Sequence, residues 1–256
     1  MELFDSHTHL NDKPFAGATE KYLQQARDLG VTKMAIVGSD RALNQGALDL
    51  AAQYPELSAI VGWHPEFVQD YNQAIEAELV QQIQRPEVVA LGEIGLDYHW
   101  DEEHHLAQQK LFQHQIEMAQ TYKLPISVHS RDALEDTYRI LKASHVERTG
   151  GIMHSFNGTP EWAAKFLDLG MMISFSGVVS FKNAPDVHAS AKVIPADRLL
   201  VETDAPYLTP EPYRGKQNEP GYTRYVAEAV AKLRDVPVEA IAAATFANAK
   251  RIFKVN

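Results

Sequence analysis

Eight apolar runs of strand length recur along the chain, each followed by polar or helix-patterned sequence. They are "ELFDSHTHL" (2–10), "KMAIVGS" (33–39), "LSAIVGWHP" (57–65), "VVALGEIGLD" (88–97), "LPISVHSR" (124–131), "GGIMHSF" (150–156), "MMISFSG" (171–177) and "RLLVETDAP" (198–206). They are rich in Val, Ile, Leu and Met and mostly continuous, as strands buried on both faces must be. Between them lie helix patterns. "ATEKYLQQARDLG" (18–30) and "EWAAKFLDLG" (161–170) end in Gly, a common helix stop, and 104–122 places Leu111, Gln115 and Met118 near one face. Two further helical stretches, 222–235 and 237–253, close the chain. Alternating β and α with eight repeats in 256 residues predicts an α/β fold, a (β/α)8 TIM barrel, as one domain over 1–256. A doubly wound open sheet is the alternative, but no strand is followed by GxGxxG or GxxxxGK[ST]. The stretch 207–221, rich in Pro, Gly and charge, reads as a long loop after the eighth strand.

The rest of the chain narrows the chemistry by exclusion. With no cysteine there is neither a disulfide framework nor a thiolate metal site, so any metal must be held by His, Asp and Glu. No run approaches the length of a membrane span and no secretory signal opens the chain, so the expected location is the cytoplasm, with no membrane and no obligate protein partner. The formal net charge of −10 argues against a basic surface that coats DNA without regard to sequence. Phosphates would need a metal or a local basic patch.

Metal-competent side chains gather at the C-terminal ends of the predicted strands. Strand one carries His7 and His9, strand three ends in His64, and strand four holds Glu93. His129 lies on strand five, His154 on strand six, and Glu202 and Asp204 on strand eight. Residues i and i+2 of a strand share a face, so His7 and His9 point together, with Asp5 beside them. Each residue alone has an ordinary explanation. The HxH pair can be hydrogen-bonded core histidines, Glu93 a cap or ion-pair partner, and Asp204 a turn cap before Pro206. Together they are costly to bury unless paired or metal-bound, and in a barrel these ends converge on the active-site face. Six ligands from such a set are too many for one tetrahedral ion and suit a two-metal site, with Glu93, whose strand lies centrally, as the bridge. Glu202 reads as support behind the ligands. His104 and His105, after "DEE" near a helix start, read as solvated, and His99, His114, His145 and His188 have polar neighbours and no partner at ligand spacing. Trp63, Tyr98 and Trp100 can line a pocket mouth or pack at its rim.

The stretches "LFDSHTHLN", "GEIGLDY", "LPISVHSRDALED", "GIMHSF" and "IPADRLLVETDAP" resemble the TatD family of metal-dependent deoxyribonucleases, within the amidohydrolase superfamily of (β/α)8 barrels. The resemblance runs from residue 4 to "NAKRIF" near the end. It implies that His7 and His9 bind one ion with Glu93 and Asp204, and that His129 and His154 bind the second with Glu93 shared. It implies that His64 contacts a substrate phosphate and that Arg131 stands beside the site. Where some superfamily relatives carry a carboxylated lysine on strand four, this chain has Glu93, as the TatD group does.

The function expected is hydrolysis of DNA phosphodiesters with two divalent ions (Mg, Mn, Zn or Ni), as a 3′→5′ exonuclease at strand ends. Asp204, Glu93 and His64 are the expected catalytic residues, and His64 and Arg131 the substrate-binding ones. The competing expectation is an ester or amide hydrolase on the same scaffold, acting on an aminoacyl-tRNA linkage or a lactone. A non-enzymatic metal-binding protein would instead show closed coordination.

Overall fold

A computed structural model describes residues 1–101 and 103–256. The strands are β1 (Leu3–Thr8), β2 (Val31–Val37), β3 (Leu57–Val61), β4 (Val88–Asp97), β5 (Ile126–Arg131), β6 (Gly151–Met153), β7 (Met171–Phe175) and β8 (Leu199–Val201). The helices are α1 (Thr19–Asp28), α2 (Arg41–Gln53), α3 (Gln73–Gln82), α4 (His105–Tyr122), α5 (Leu134–Ala143), α6 (Pro160–Asp168), α7 (Pro185–Val193), α8 (Thr223–Arg234) and α9 (Val238–Phe253). The strands pair in parallel in chain order, β1 to β8. Past the strand ends the seam is joined, with Asp204 N–H donating to the His7 carbonyl (2.9 Å) and His9 N–H to that of Ala205 (2.8 Å). This is the (β/α)8 TIM barrel the alternation predicts.

An inner cluster draws Phe4, Ala35, Ile60, Ala90, Ile152, Met172 and Leu200 from every strand except β5. Ala249 and Phe253 of α9 close one end of it, with Phe253 packed on Phe4 at 5.6 Å between centroids. A second, larger cluster joins the strands to the surrounding helices. Helix α9 thus closes one end of the barrel interior, and Asn248 of that helix donates to the Leu199 carbonyl at the start of β8 (2.8 Å).

Most strands are shorter than their apolar runs, and β6 and β8 are the shortest. Only Gly151–Met153 of 150–156 and Leu199–Val201 of 198–206 are strand. The chain turns just beyond each, at positive φ at Ser155 (42°) and Asp204 (55°). These turns leave His154, Glu202 and Asp204 on the loops at the barrel mouth, with His154 N–H still held by the Val128 carbonyl at 3.1 Å. On β4, Gly95 sits at φ +144°, and a Cβ there would lie 2.0 Å from the His129 carbonyl oxygen. Only glycine allows β4 and β5 to approach this closely while Glu93 and His129 face each other.

Candidate metal centre

Glu93 is the hub. Its N–H donates to the Gly38 carbonyl (2.9 Å), which fixes the residue against β2, and it is 4% exposed. Its two carboxylate oxygens face different partners. Oε2 lies 3.5 Å from His7 Nε2 and 3.7 Å from His9 Nε2. Oε1 lies 3.0 Å from His129 Nδ1, 3.0 Å from His154 Nε2 and 3.6 Å from His64 Nε2. Asp204 joins the first side, with Oδ1 3.4 Å from His9 Nε2 and 3.8 Å from His7 Nε2. All six residues expected as ligands thus meet in one place, and His64 meets them there.

The outer nitrogen of each imidazole sets which inner nitrogen is bare. His9 Nδ1–H donates to the Val37 carbonyl (3.0 Å). His154 Nδ1–H donates to Glu202 Oε1 (3.0 Å), and His129 Nε2–H to Asp97 Oδ2 (2.9 Å). His7 Nδ1 faces the Ser127 hydroxyl at 3.4 Å. When neutral, these four rings turn a lone pair toward the carboxylates. His64 is reversed: its Nδ1 accepts from the Glu66 N–H (3.3 Å), so its neutral ring presents Nε2–H to the interior. His64 is thereby set as a donor.

The donor set fits divalent cations. His7 Nε2 and His9 Nε2 stand 3.3 Å apart, the edge of a tetrahedron whose bonds are about 2.0–2.1 Å. Among the described residues, three groups bring their ligand atoms within 4.8 Å of one another: His7, His9 and Asp204; His64, Glu93 and His129; and His7, His154 and Glu202. The Glu202 side chain is fully buried, its Oε1 also accepting the Ser155 N–H (2.7 Å) while Oε2 has no partner. That seats Glu202 against the outer nitrogen of His154.

Without a metal the groups neutralise one another as ion pairs. Burial opposes charge on Glu93, but His154, His64 and His7 outweigh it and hold the carboxyl well below its usual range. Burial likewise opposes protonation of His154, but Glu93 and Glu202 push it well above the ordinary imidazole value. His129, also desolvated, is raised to about 9 by hydrogen bonds to Asp97 and Glu93, and Asp97 falls to about 2 despite its own burial. His7 goes the other way, lowered by burial and by His154, on which it stacks at 3.9 Å.

Asp5 departs from the sequence expectation. It does not join the imidazoles, because the β1–β2 register shifts between Asp5 and Thr8 and breaks the two-residue alternation. Its buried carboxylate accepts from Thr203 N–H (2.9 Å) and Oγ1–H (2.5 Å), and burial pushes its pKa up to about 8. Arg131 stands at the rim, with its guanidinium carbon 5.2 Å from the Trp100 ring centre.

Three supporting residues went unread in the sequence. Asp97 lies four residues after Glu93 on β4, a spacing that could have exposed it. Gln108 and Gln115, two turns apart on α4 and buried, each clamp a strand end through a pair of amide hydrogen bonds. Gln115 Oε1 accepts Trp63 N–H (2.9 Å) and its Nε2 donates to the Trp63 carbonyl (3.0 Å). Gln108 does the same for Asp97, both at 2.9 Å.

Comparison with known proteins agrees with this geometry. The model of the family described as TatD related DNase matches residues 4–254. The uncharacterized metal-dependent hydrolase YabD of Bacillus subtilis (strain 168) is 42% identical over 99% of this chain and 100% of its own length. The uncharacterized metal-dependent hydrolase YcfH of Escherichia coli (strain K12) is 38% identical over 100% of this chain and 97% of its own. The crystal structure of YJJV, a TatD homolog from Escherichia coli K12, superposes with a TM-score of 0.93 at 32% identity, covering 99% of this chain and 98% of that one. With ligand-type residues from β1, β4, β5 and the β6 and β8 loops meeting at the mouth of a barrel that matches along nearly its whole length, the chain belongs to the TatD family.

Proposed function

We propose that this member of a family of metal-dependent hydrolases cleaves DNA phosphodiester bonds, removing nucleotides from 3′ ends. The observation that carries the reading is the division of Glu93, with Oε2 toward His7 and His9 and Oε1 toward His129 and His154. Such a carboxylate suits a bridge between two ions. His7, His9 and Asp204 would complete one site, and His129 and His154 the other. Bound there, divalent ions polarise a phosphoryl oxygen and acidify water, chemistry suited to in-line displacement at phosphorus. Asp204 holds its carboxylate 3.4 Å from His9 at the mouth and accepts the proton of the attacking water. His64 donates from Nε2 to a non-bridging phosphate oxygen, as its tautomer favours. Arg131 at the rim attracts the next phosphate. The family's description, TatD related DNase, supports the substrate class.

The test is metal analysis of the purified protein, then digestion of 3′- and 5′-end-labelled single-stranded DNA with Mg, Mn, Zn or Ni restored, beside a carboxylic ester. The expected result is stepwise shortening from the 3′ end. Asp204→Asn should keep most metal and lose most turnover, whereas His64→Ala should keep metal and weaken substrate handling. Cleavage of the ester alone, or equal metal loss in both variants, would refute the assignment.

A further inference from the structure

An open cleft of about 510 Å³ lies at the barrel mouth, lined by Glu66, Phe67, Gln69, Trp100, Asp101 and His104. Both its aromatic walls start at the metal centre. Phe67 follows His64 by three residues, and their rings are 6.3 Å apart. Trp100 follows Asp97 by three residues. Asp97 Oδ1 accepts the N–H groups of His99 (2.9 Å) and Trp100 (3.0 Å), while Oδ2 holds His129. His64 and His129 themselves lie 4.6 Å apart. The roots of both walls, His64 and Asp97, thus lie on the His64–His129 side of the site.

Each wall is also built to stay in place. Trp63 Nε1–H donates to the Phe67 carbonyl (2.8 Å), and Gln115 clamps Trp63 in turn. Gln108 clamps Asp97 at the root of the other wall. Yet the Trp100 indole is 66% exposed, with Arg131 packed on it from outside the cleft lining. A large aromatic ring left this open on a braced backbone is a contact surface awaiting another ring. The carboxylates of Glu66 and Asp101 repel a phosphate from this space and leave it to an uncharged group.

We propose that the Phe67–Trp100 cleft is a nucleobase subsite, in which a base adjoining the scissile phosphate stacks on Trp100. The inference rests on the phosphodiesterase reading above. It explains how an acidic protein seats a strand end: cationic chemistry takes the phosphate, and an aromatic slot whose carboxylates exclude phosphate takes its base. Stacking tolerates any base, so the subsite selects single strands and frayed ends over a paired duplex, whose bases are already stacked.

The experiment uses the metal-loaded protein and two single-stranded oligonucleotides, one ordinary and one with abasic tetrahydrofuran residues at its last two 3′ positions. The wild type should prefer the base-bearing end by about ten-fold or more in kcat/KM, mainly through KM, as loss of one aromatic stack implies. Trp100→Ala should bring that preference close to one by slowing only the base-bearing substrate, and Trp100→Phe should keep most of it. A preference that survives Trp100→Ala, or an equal loss on both substrates, overturns the subsite and leaves the phosphodiesterase reading standing. Tryptophan fluorescence supplies a readout without turnover: dAMP should quench it saturably, deoxyribose 5-phosphate should not, and the quench should vanish in Trp100→Phe. Saturable quenching in a protein that cleaves neither oligonucleotide would retain the base site and overturn the phosphodiesterase reading. Absence of both quenching and cleavage would overturn both.

Discussion

Loading the centre with a divalent ion should expel protons, and the number and pH range follow from the geometry. His129 donates from Nε2 to Asp97 and meets Glu93 through Nδ1, and these hydrogen bonds raise it to about 9 against the opposing effect of burial. At pH 7 it is therefore protonated, and a metal must displace that proton to reach the ring. The displacement spans about two pH units and costs about 3 kcal/mol, so the ring binds metal about 100-fold more weakly at pH 7 than above pH 9. His154, raised well above the ordinary value by Glu93 and Glu202 against the effect of burial, adds a second proton, and His9, raised by Asp204 and Glu93 against its own burial, shifts the release in the same direction. His7, lowered by burial, adds none. Stability of the metal-free protein has the opposite pH dependence. Because the folded His129 value lies above 6.5, its stabilising contribution is complete below that pH and is lost as pH rises through about 9. Titration calorimetry in two buffers of equal pH and unequal protonation enthalpy, repeated between about pH 7 and 9, counts the protons. About two released at pH 7, with affinity rising toward pH 9, is the expected result. No release and a flat affinity would show that these imidazoles are not the ligands.

Three further outcomes follow from single contacts. Gln115→Leu leaves the Trp63 N–H and carbonyl without partners in a buried place, and should cost about 2–4 kcal/mol in urea denaturation; a loss below about 1 kcal/mol would show that water or a shifted helix replaces the clamp. Glu202→Gln should preserve the fold but weaken metal binding about 10–100-fold in chelator competition, since the amide holds the His154 Nδ1–H less strongly than the carboxylate; unchanged affinity would remove Glu202 from the supporting role. Arg214, whose guanidinium lies 3.6 Å from the Phe181 ring centre, and Lys216 share the loop after β8. Replacing both with Ala should weaken DNA binding and flatten a salt dependence of log affinity expected at roughly −1 to −3, about −0.7 per phosphate on a single strand, and a wild-type slope near −8 would mean a long basic track instead.

What was legible in the sequence is what periodicity and residue chemistry encode locally. Continuous apolar runs gave the strands, because parallel strands covered on both faces need them. The metal-competent residues could be picked out because His, Glu and Asp stand out against such runs. Asp5 was misplaced because strand alternation assumes an unbroken register, and the β1–β2 shift between Asp5 and Thr8 depends on partners, Met34 and Ile36, on the next strand. The lengths of β6 and β8 were overestimated because a residue such as Ser155 or Asp204 can take positive φ without any signature in composition. Gln108 and Gln115 were hidden for another reason. Polar residues in a helix read as solvent-facing until the strand ends they clamp are known, and Gln115 was placed near the inner face only through its apolar neighbours.

The tautomers carry the argument furthest, because they separate residues that the sequence presents alike. Five histidines ring Glu93, and distance alone does not distinguish them: His64 lies 3.6 Å from the carboxylate and His7 lies 3.5 Å from it. Their outer contacts do. His9, His129 and His154 face fixed acceptors, the Val37 carbonyl, Asp97 and Glu202, and His7 faces a hydroxyl able to accept. Each can therefore turn a lone pair inward toward a cation. His64 faces a backbone N–H and must turn a hydrogen inward, which suits an anion. A site arranged in this way is charged according to its load. Metal-free, the imidazolium protons balance Glu93 and Asp204. With two divalent ions and neutral rings, Glu93 and Asp204 alone would leave about +2 among the innermost groups, before the Asp97 and Glu202 side chains behind His129 and His154 are counted, in a protein whose formal net charge is −10. Bound metal would thus make this face more attractive to phosphate, beside the inward-pointing His64 Nε2–H able to donate to it.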